Sequence, residues 1–270
     1  MDQLKEKHAR LTQYIAGLQR VIVAFSGGVD SSLLLKVSLD SLQERNVLAA
    51  TVSSPLLPQR ELEAAVDLAK KLHAPHRVIE TDELQEAEIA ANPPDRCYFC
   101  KSHTFELLTG SARREGYRGV LVGTNKSDEN DYRPGMKAAR SFEMVKSPLL
   151  DCGINKKEVR RLAKALGLDN WNKPAAACLA SRIPYGEALT SEKLNMIAQA
   201  EARLADLGLS QVRVRYHGSL ARIEVGEGDL PKVLNTAMLR LLSREVKSCG
   251  FTYVALDADG YRTGSSNEVF

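Results

Sequence analysis

No stretch of this chain approaches the roughly 20 consecutive apolar residues that a membrane-spanning helix needs. The N-terminus, MDQLKEKHARLTQYIAGLQ, also lacks the apolar core of a signal peptide. A cytoplasmic protein without membrane contact is therefore expected. Five cysteines in 270 residues are too few for a disulfide scaffold, and a reducing compartment would keep them as thiols or metal ligands. Aromatic residues are scarce at 6%, and neither sign of charge dominates, with 37 Lys and Arg against 34 Asp and Glu for a formal net charge of +3. A nucleic-acid partner would favour a broad basic, aromatic-studded surface, so none is expected, and a small anionic substrate fits the charge at least as well. No repeat of solenoid period and no low-complexity tract is present. Against these absences stands an apolar content of 44%, enough for a sizeable core in one large domain or two smaller ones.

The apolar run VIVAF stops at SGGVDSS and gives way to the helical pattern LLLKVSLDSLQE. Strand-like VLAATVSS (47–54), HRVIET (76–81), GVLVGTN (119–125) and MVKSPLL (144–150) are interspersed with the helical patterns ELEAAVDLAKKL (61–72) and KKEVRRLAKAL (156–166). This order predicts an α/β fold, a mainly parallel sheet with helices on both faces and right-handed crossovers. In such sheets ligands bind beyond the carboxyl ends of the strands. NKPAAACLASRIPYGEALT (172–190) breaks the rhythm with two prolines, a glycine and small residues, and reads as an ordered connecting segment. After it, a helix (191–207), the alternating strands QVRVRY and ARIEV joined by HGSL, a helix (230–248) and a last strand TYVALD predict a smaller α+β unit. The expected domains are thus 1–171, a connection 172–190, and 191–270.

SGGVDSS lies where the first strand opens into the first helix. Gly27 and Gly28 let the backbone approach an anion, successive amides can form a nest, and the helix N-terminus adds a favourable partial charge. Ser26, Ser31 and Ser32 add hydroxyl donors. The full SGGxDS pattern resembles the PP-loop of the ATP pyrophosphatases and differs from the Walker loop, which needs GxxxxGK[ST]. The resemblance implies cleavage of ATP between its α and β phosphates, leaving AMP on a substrate oxygen. Asp30, Asp128 and Glu129 are candidates to hold Mg2+, although the acidic pair 128–129 could equally cap a helix. Gly123 and Asn125 fall at another strand's carboxyl end, where the same crevice would lie.

The CxxC in RCYFCK (96–101) admits several readings. A zinc site would take Cys97 and Cys100 with His103 nearby, and a redox pair would leave Cys178 without a role. Three cysteines, Cys97, Cys100 and Cys178, can instead hold a [4Fe–4S] cluster with one iron left open. Cys152 and Cys249, in LLDCGI and VKSCGF, read as buried small hydrophobes.

Together SGGVDSS, GTNKSDENDYRPG, RCYFCK and above all ACLASRIPYG resemble, over essentially the whole chain, the LarE family of ATP-dependent sulfur insertases. Those enzymes mature the nickel-pincer nucleotide cofactor of lactate racemase. The resemblance implies adenylation of each carboxylate of pyridinium-3,5-biscarboxylic acid mononucleotide, then conversion to a thiocarboxylate. It implies two possible sulfur sources. One is Cys178 as a sacrificial donor ending as dehydroalanine; the other, favoured by the presence of all three cysteines, is a cluster-borne sulfide renewed by a donor that the sequence does not name. It also implies a homo-oligomer, a hexamer being one form.

In VRVRY a strand would project Arg213 and Arg215 from one face, and ARIEV would add Arg222 and Glu224. By itself such a cluster reads as a solvated face with cross-strand ion pairs. The resemblance assigns Arg213 and Arg215 to the substrate phosphate, which guanidinium geometry suits, and places Glu201 and Glu224 near the substrate or a second metal. Ser181 and Arg182 follow Cys178 in the chain and could orient the acyl-adenylate, with Arg182 offsetting charge on the departing AMP. Arg133 in DYRPG is a further candidate. Rival readings are a tRNA thiolase of the PP-loop class, an amidating synthetase, for which no glutaminase-like segment fits in the length, and a nucleotide-binding sensor, which would leave the cysteines structural.

Overall fold

A computed structural model describes residues 2–130, 134–174 and 176–262. The chain divides into two compact units, Met1–Glu83 with Asp95–Ala176, and Leu84–Pro94 with Ala177–Phe270. The division after Ala176 falls inside the segment 172–190, and the short stretch 84–94 groups with the second unit.

The first unit is built on a five-stranded sheet, β1 (Val21–Ala24), β2 (Val47–Ser53), β3 (His76–Glu80), β4 (Gly119–Leu121) and β5 (Val145–Lys146). All pairings are parallel and the strand order is β3-β2-β1-β4-β5. Alternation along β1 explains the two-sided core. Val21 and Val23 join one cluster with Leu11 and Ile15 of helix Asp2–Leu18 and Leu33 to Leu35 of helix Val29–Ser41. Ile22 joins the opposite cluster with Phe105, Leu108 and Ala112 of helix Arg96–Glu115. Each of the Val, Leu, Ile and Phe side chains among them contributes about 1.5–3 kcal/mol when fully buried. Because the chain builds β1, β2 and β3 outward and then returns to place β4 on the other side of β1, the order reverses between β1 and β4. A crevice at the carboxyl ends of the strands opens at such a reversal.

Two of the expected elements take a different form. MVKSPLL is a strand only at β5, because Pro148 starts the short helix Pro148–Asp151. The expected helix 230–248 is two, Leu230–Val233 and Thr236–Lys247, since the Asn235 side chain accepts the N–H of Met238 and caps the second.

The second unit carries a three-stranded sheet in the order β6 (Val212–His217), β7 (Leu220–Val225), β8 (Tyr253–Leu256). β6 and β7 pair antiparallel with Arg213 opposite Glu224, while β8 lies parallel to β7. Helix Ser191–Asp206 buries Leu194, Ile197, Ala200 and Leu204 at helical spacing and packs on β6. Asn92, buried with φ +54, donates Nδ2 to the carbonyls of Pro184 at 2.8 Å and Glu187 at 3.1 Å, pinning the stretch after ACLASR.

Candidate functional site

In the first unit β1 runs through Phe25 and Ser26 into the two glycines and then helix Val29–Ser41. Gly27 has φ +67, and a Cβ there would lie 3.0 Å from Cα of Ala65. Both the left-handed backbone and the packed helix Gln59–Lys71 therefore require glycine. Gly28 caps the next helix in extended conformation with no side-chain cap, and the first-turn N–H groups of a helix have no intrahelical partner, which favours an anion there. Ser31 Oγ donates to the Gly28 carbonyl at 3.0 Å and lies 3.2 Å from Ser26 Oγ. Ser32 Oγ donates to the same carbonyl at 2.9 Å.

Asp30, in the first turn of that helix, accepts from Nδ2 of Asn125 at 3.1 Å, and its other oxygen pairs with Nζ of Lys156. The backbone N–H of Asn125 donates to Asp128 at 2.9 Å, so one asparagine beyond β4 holds both acidic residues. Gly123 permits this approach, since a Cβ on it would stand 2.9 Å from Cβ of Asp30. Glu129 turns to Lys126 instead. Among the described residues no group of three or more His, Cys, Asp or Glu could hold a metal ion. Two carboxylates fit Mg2+, which commonly takes its remaining oxygens from water and substrate phosphates.

RCYFCK opens the 20-residue helix Arg96–Glu115, an element absent from the sequence reading because its apolar periodicity, Phe105, Leu108 and Ala112, begins only after the polar first turns. Cys97 and Cys100, three apart, share a helix face and are half-buried. Nη2 of buried Arg96 stands 3.7 Å from Cys97 Sγ, and the Cys100 thiol donates to Oε1 of buried Glu83 at 3.4 Å. His103 meets Thr81 Oγ1 at 2.8 Å. A Cβ on Gly135 would lie 2.9 Å from Cγ of Lys101, the residue after Cys100, so glycine lets helix Pro134–Arg140 pack closely on the start of helix Arg96–Glu115. Arg133 lies outside the described residues. A thiol pair on one helix face is a soft donor set suited to iron–sulfur ligation.

In the second unit half-buried Cys178 precedes the 3-10 turn Leu179–Arg182. Its carbonyl accepts from the Ser181 N–H at 3.1 Å, Ser181 Oγ at 2.9 Å and Arg182 Nη1 at 2.8 Å. Arg182, 3% exposed, also forks onto Glu201 at 2.9 and 3.0 Å. Glu201 in turn accepts the Val214 N–H at 3.0 Å. Arg215 forks onto Glu224 at 2.9 and 2.8 Å and donates Nη1 to the Ser181 carbonyl at 2.7 Å. Arg182 and Arg215 thus brace the backbone around Cys178. Glu224, 1% exposed, also faces Arg222, which pairs with Asp257. Arg213 is held differently: its Nη1 donates to the Val212 carbonyl at 2.7 Å and its guanidinium lies 5.2 Å from the ring centre of Tyr261. Burial first, then the charge of Arg182, pushes its pKa down, with Glu201 and Tyr261 opposing. Positive charge crowded in this way would be relieved by a bound anion.

Sequence reasoning missed Lys156, Glu83 and Asn170, whose Nδ2 donates to the Gly27 carbonyl at 3.0 Å and to Ser32 Oγ at 2.9 Å. Lys156 carried one signal, a cation in the first turn of a helix, against the helix dipole. Nothing local marked the other two.

A family model described as NAD synthase matches residues 4–96. A Synechocystis sp. protein described only as uncharacterized is 42% identical over 98% of this chain and 98% of its own length. A Methanocaldococcus jannaschii protein, likewise uncharacterized, is 33% identical over 91% of this chain and 92% of its own. The pyridinium-3,5-bisthiocarboxylic acid mononucleotide synthase of Lactiplantibacillus plantarum is 41% identical over 100% of this chain and 96% of its own. With a PP-loop at the reversal of a parallel sheet and that identity along its whole length, the chain belongs to the LarE-type family of pyridinium-3,5-bisthiocarboxylic acid mononucleotide synthases.

Proposed function

We propose that the chain is an ATP-dependent sulfurtransferase that converts the carboxylates of pyridinium-3,5-biscarboxylic acid mononucleotide to thiocarboxylates for the nickel-pincer nucleotide. The observation that carries this reading is the full-length identity to the synthase of that name, together with the loop geometry at β1 and β4.

A substrate carboxylate oxygen attacks the α-phosphorus of ATP, the bond to the bridging oxygen breaks, and pyrophosphate leaves with the electron pair. The N–H groups that follow Gly28 and the hydroxyl of Ser26 are suited to the phosphates, while the hydroxyls of Ser31 and Ser32 hold the Gly28 carbonyl. Lys156, paired with Asp30, would add a cation for phosphate, and Asp30 would then be available to hold Mg2+. Mg2+ held by Asp30 and Asp128 would neutralise charge on the departing pyrophosphate. Sulfur then attacks the carbonyl carbon of the acyl-adenylate and AMP departs. We assign the substrate phosphate to Arg213 with Arg215, because the crowded guanidinium of Arg213 gains by meeting an anion.

For the sulfur, we assign Cys97, Cys100 and Cys178 to a [4Fe–4S] cluster, which would supply sulfide for transfer. A second reading rests on the three donors that fix the Cys178 carbonyl: they hold that residue's backbone still, as a single sacrificial thiol requires. The test is Cys178→Ala, which is expected to abolish thiocarboxylate formation while pyrophosphate release continues in part; an active variant would end both sulfur readings. Iron and acid-labile sulfide on anaerobically purified protein separate them. Iron lost in Cys97→Ser supports the cluster, whereas iron-free active protein with dehydroalanine at 178 supports the sacrificial thiol.

A further inference from the structure

We propose that Asn170 is a positioning residue of the nucleotide loop, clamping both its ends through the two N–H donors of one carboxamide nitrogen; the proposal rests on the ATP reading above. Asn170 stands 143 residues from Gly27 in sequence. Its Nδ2 donates to the Gly27 carbonyl at 3.0 Å and to Ser32 Oγ at 2.9 Å.

The chemistry of the two partners dictates the residue type. A backbone carbonyl can only accept. The single hydroxyl hydrogen of Ser32 is committed to the Gly28 carbonyl at 2.9 Å, so toward Asn170 this hydroxyl also accepts. Both contacts need a donor, and an NH2 group supplies two from one atom. A carboxylate of the same shape supplies none.

The other end of the side chain shows which need prevails. Oδ1 of Asn170 is buried and, among the described residues, without a hydrogen-bond partner, a costly state for an amide oxygen. Rotating the carboxamide would turn that oxygen onto two acceptors. The orientation therefore serves the loop. In a planar trans peptide the carbonyl and the following N–H point in opposite directions, so holding the Gly27 carbonyl also fixes the Gly28 N–H, which donates to Ser26 Oγ at 3.4 Å and so steadies the hydroxyl that a phosphate would meet. The residues around Asn170 are anchored independently: Lys164 Nζ sits 4.6 Å from the ring centre of Trp171, and Lys173 pairs with Glu61 at 2.8 Å. Loss of the clamp should spare this stretch.

The test is calorimetric titration of α,β-methylene-ATP with Mg2+ into the full chain, alongside thermal melts. Asn170→Ala is expected to bind about tenfold more weakly and Asn170→Asp more weakly still, while Asn172→Ala, an exposed neighbour, binds as wild type. Each affinity is referred to the folded fraction. Folded Asn170→Asp binding within about twofold of wild type would overturn the proposal; if Asn170→Asp does not fold, wild-type affinity in Asn170→Ala does so. A lowered melting temperature with intact affinity also counts against it. Wild-type protein that binds no analogue overturns the ATP reading and this proposal with it, so the two failures are distinguishable.

Discussion

Cys152 and Cys249 are buried, whereas Cys97, Cys100 and Cys178 are partly accessible. Burial pushes the Cys152 thiol up, with Arg10 pulling the other way and Asp151 adding to the rise, and the thiolate is the reactive form. On folded, iron-free protein iodoacetamide is expected to label the three accessible cysteines about tenfold faster than the two buried ones; peptide mass mapping would read this, and equal rates for Cys152 would contradict it. At this scale the sequence was most legible where chemistry demands a residue type at a fixed spacing, as in SGGVDSS and RCYFCK. It was blind where partners lie far apart along the chain. The fork of Arg182 onto Glu201, which sets it to brace the Cys178 backbone, could not be read from sequence, nor could Glu83 beside Cys100.

Between elements, the nucleotide loop depends on close packing as much as on turn chemistry. Gly27→Ala would add a Cβ against Ala65 at a positive φ, at a cost on the order of 1–2 kcal/mol, and would displace the loop. Gly186→Ala meets the same backbone strain, at φ +81, with open space around it. The expected result is a larger loss of stability in urea for Gly27→Ala than for Gly186→Ala, with a raised KM for ATP only in the former. Equal effects would show that strain alone matters. Strands and amphipathic helices were largely legible from periodicity. Helix Arg96–Glu115 was not, because two cysteines and an arginine occupy its start, and the break at Asn235 was hidden by apolar residues on either side of it.

For the whole molecule, the strand alternation foretold a parallel sheet, but the order β3-β2-β1-β4-β5 and the grouping of 84–94 with the second unit depend on contacts no local pattern encodes. Acid stability is also a property of the assembled fold. Burial alone would raise the pKa of Asp229, yet hydrogen bonds from Lys232, from Ser210 and from the backbone N–H groups of Gln211 and Ser210 bring it down to about 2. A carboxylate depressed on folding stabilises the native state above its unfolded pKa, and that contribution fades as pH falls toward the folded value. Stability is therefore expected to drop between about pH 4 and pH 2, and Asp229→Asn to flatten that part of the melting profile; an unchanged profile would remove Asp229 from the account. The central claim is α,β-cleavage of ATP coupled to sulfur insertion. It is tested most directly by mass spectrometry of nucleotides and substrate after incubating the protein with ATP, Mg2+ and pyridinium-3,5-biscarboxylic acid mononucleotide. The account predicts AMP and pyrophosphate appearing together with replacement of a carboxylate oxygen by sulfur. ADP with inorganic phosphate, or AMP formed with no sulfur entering the substrate, would contradict it.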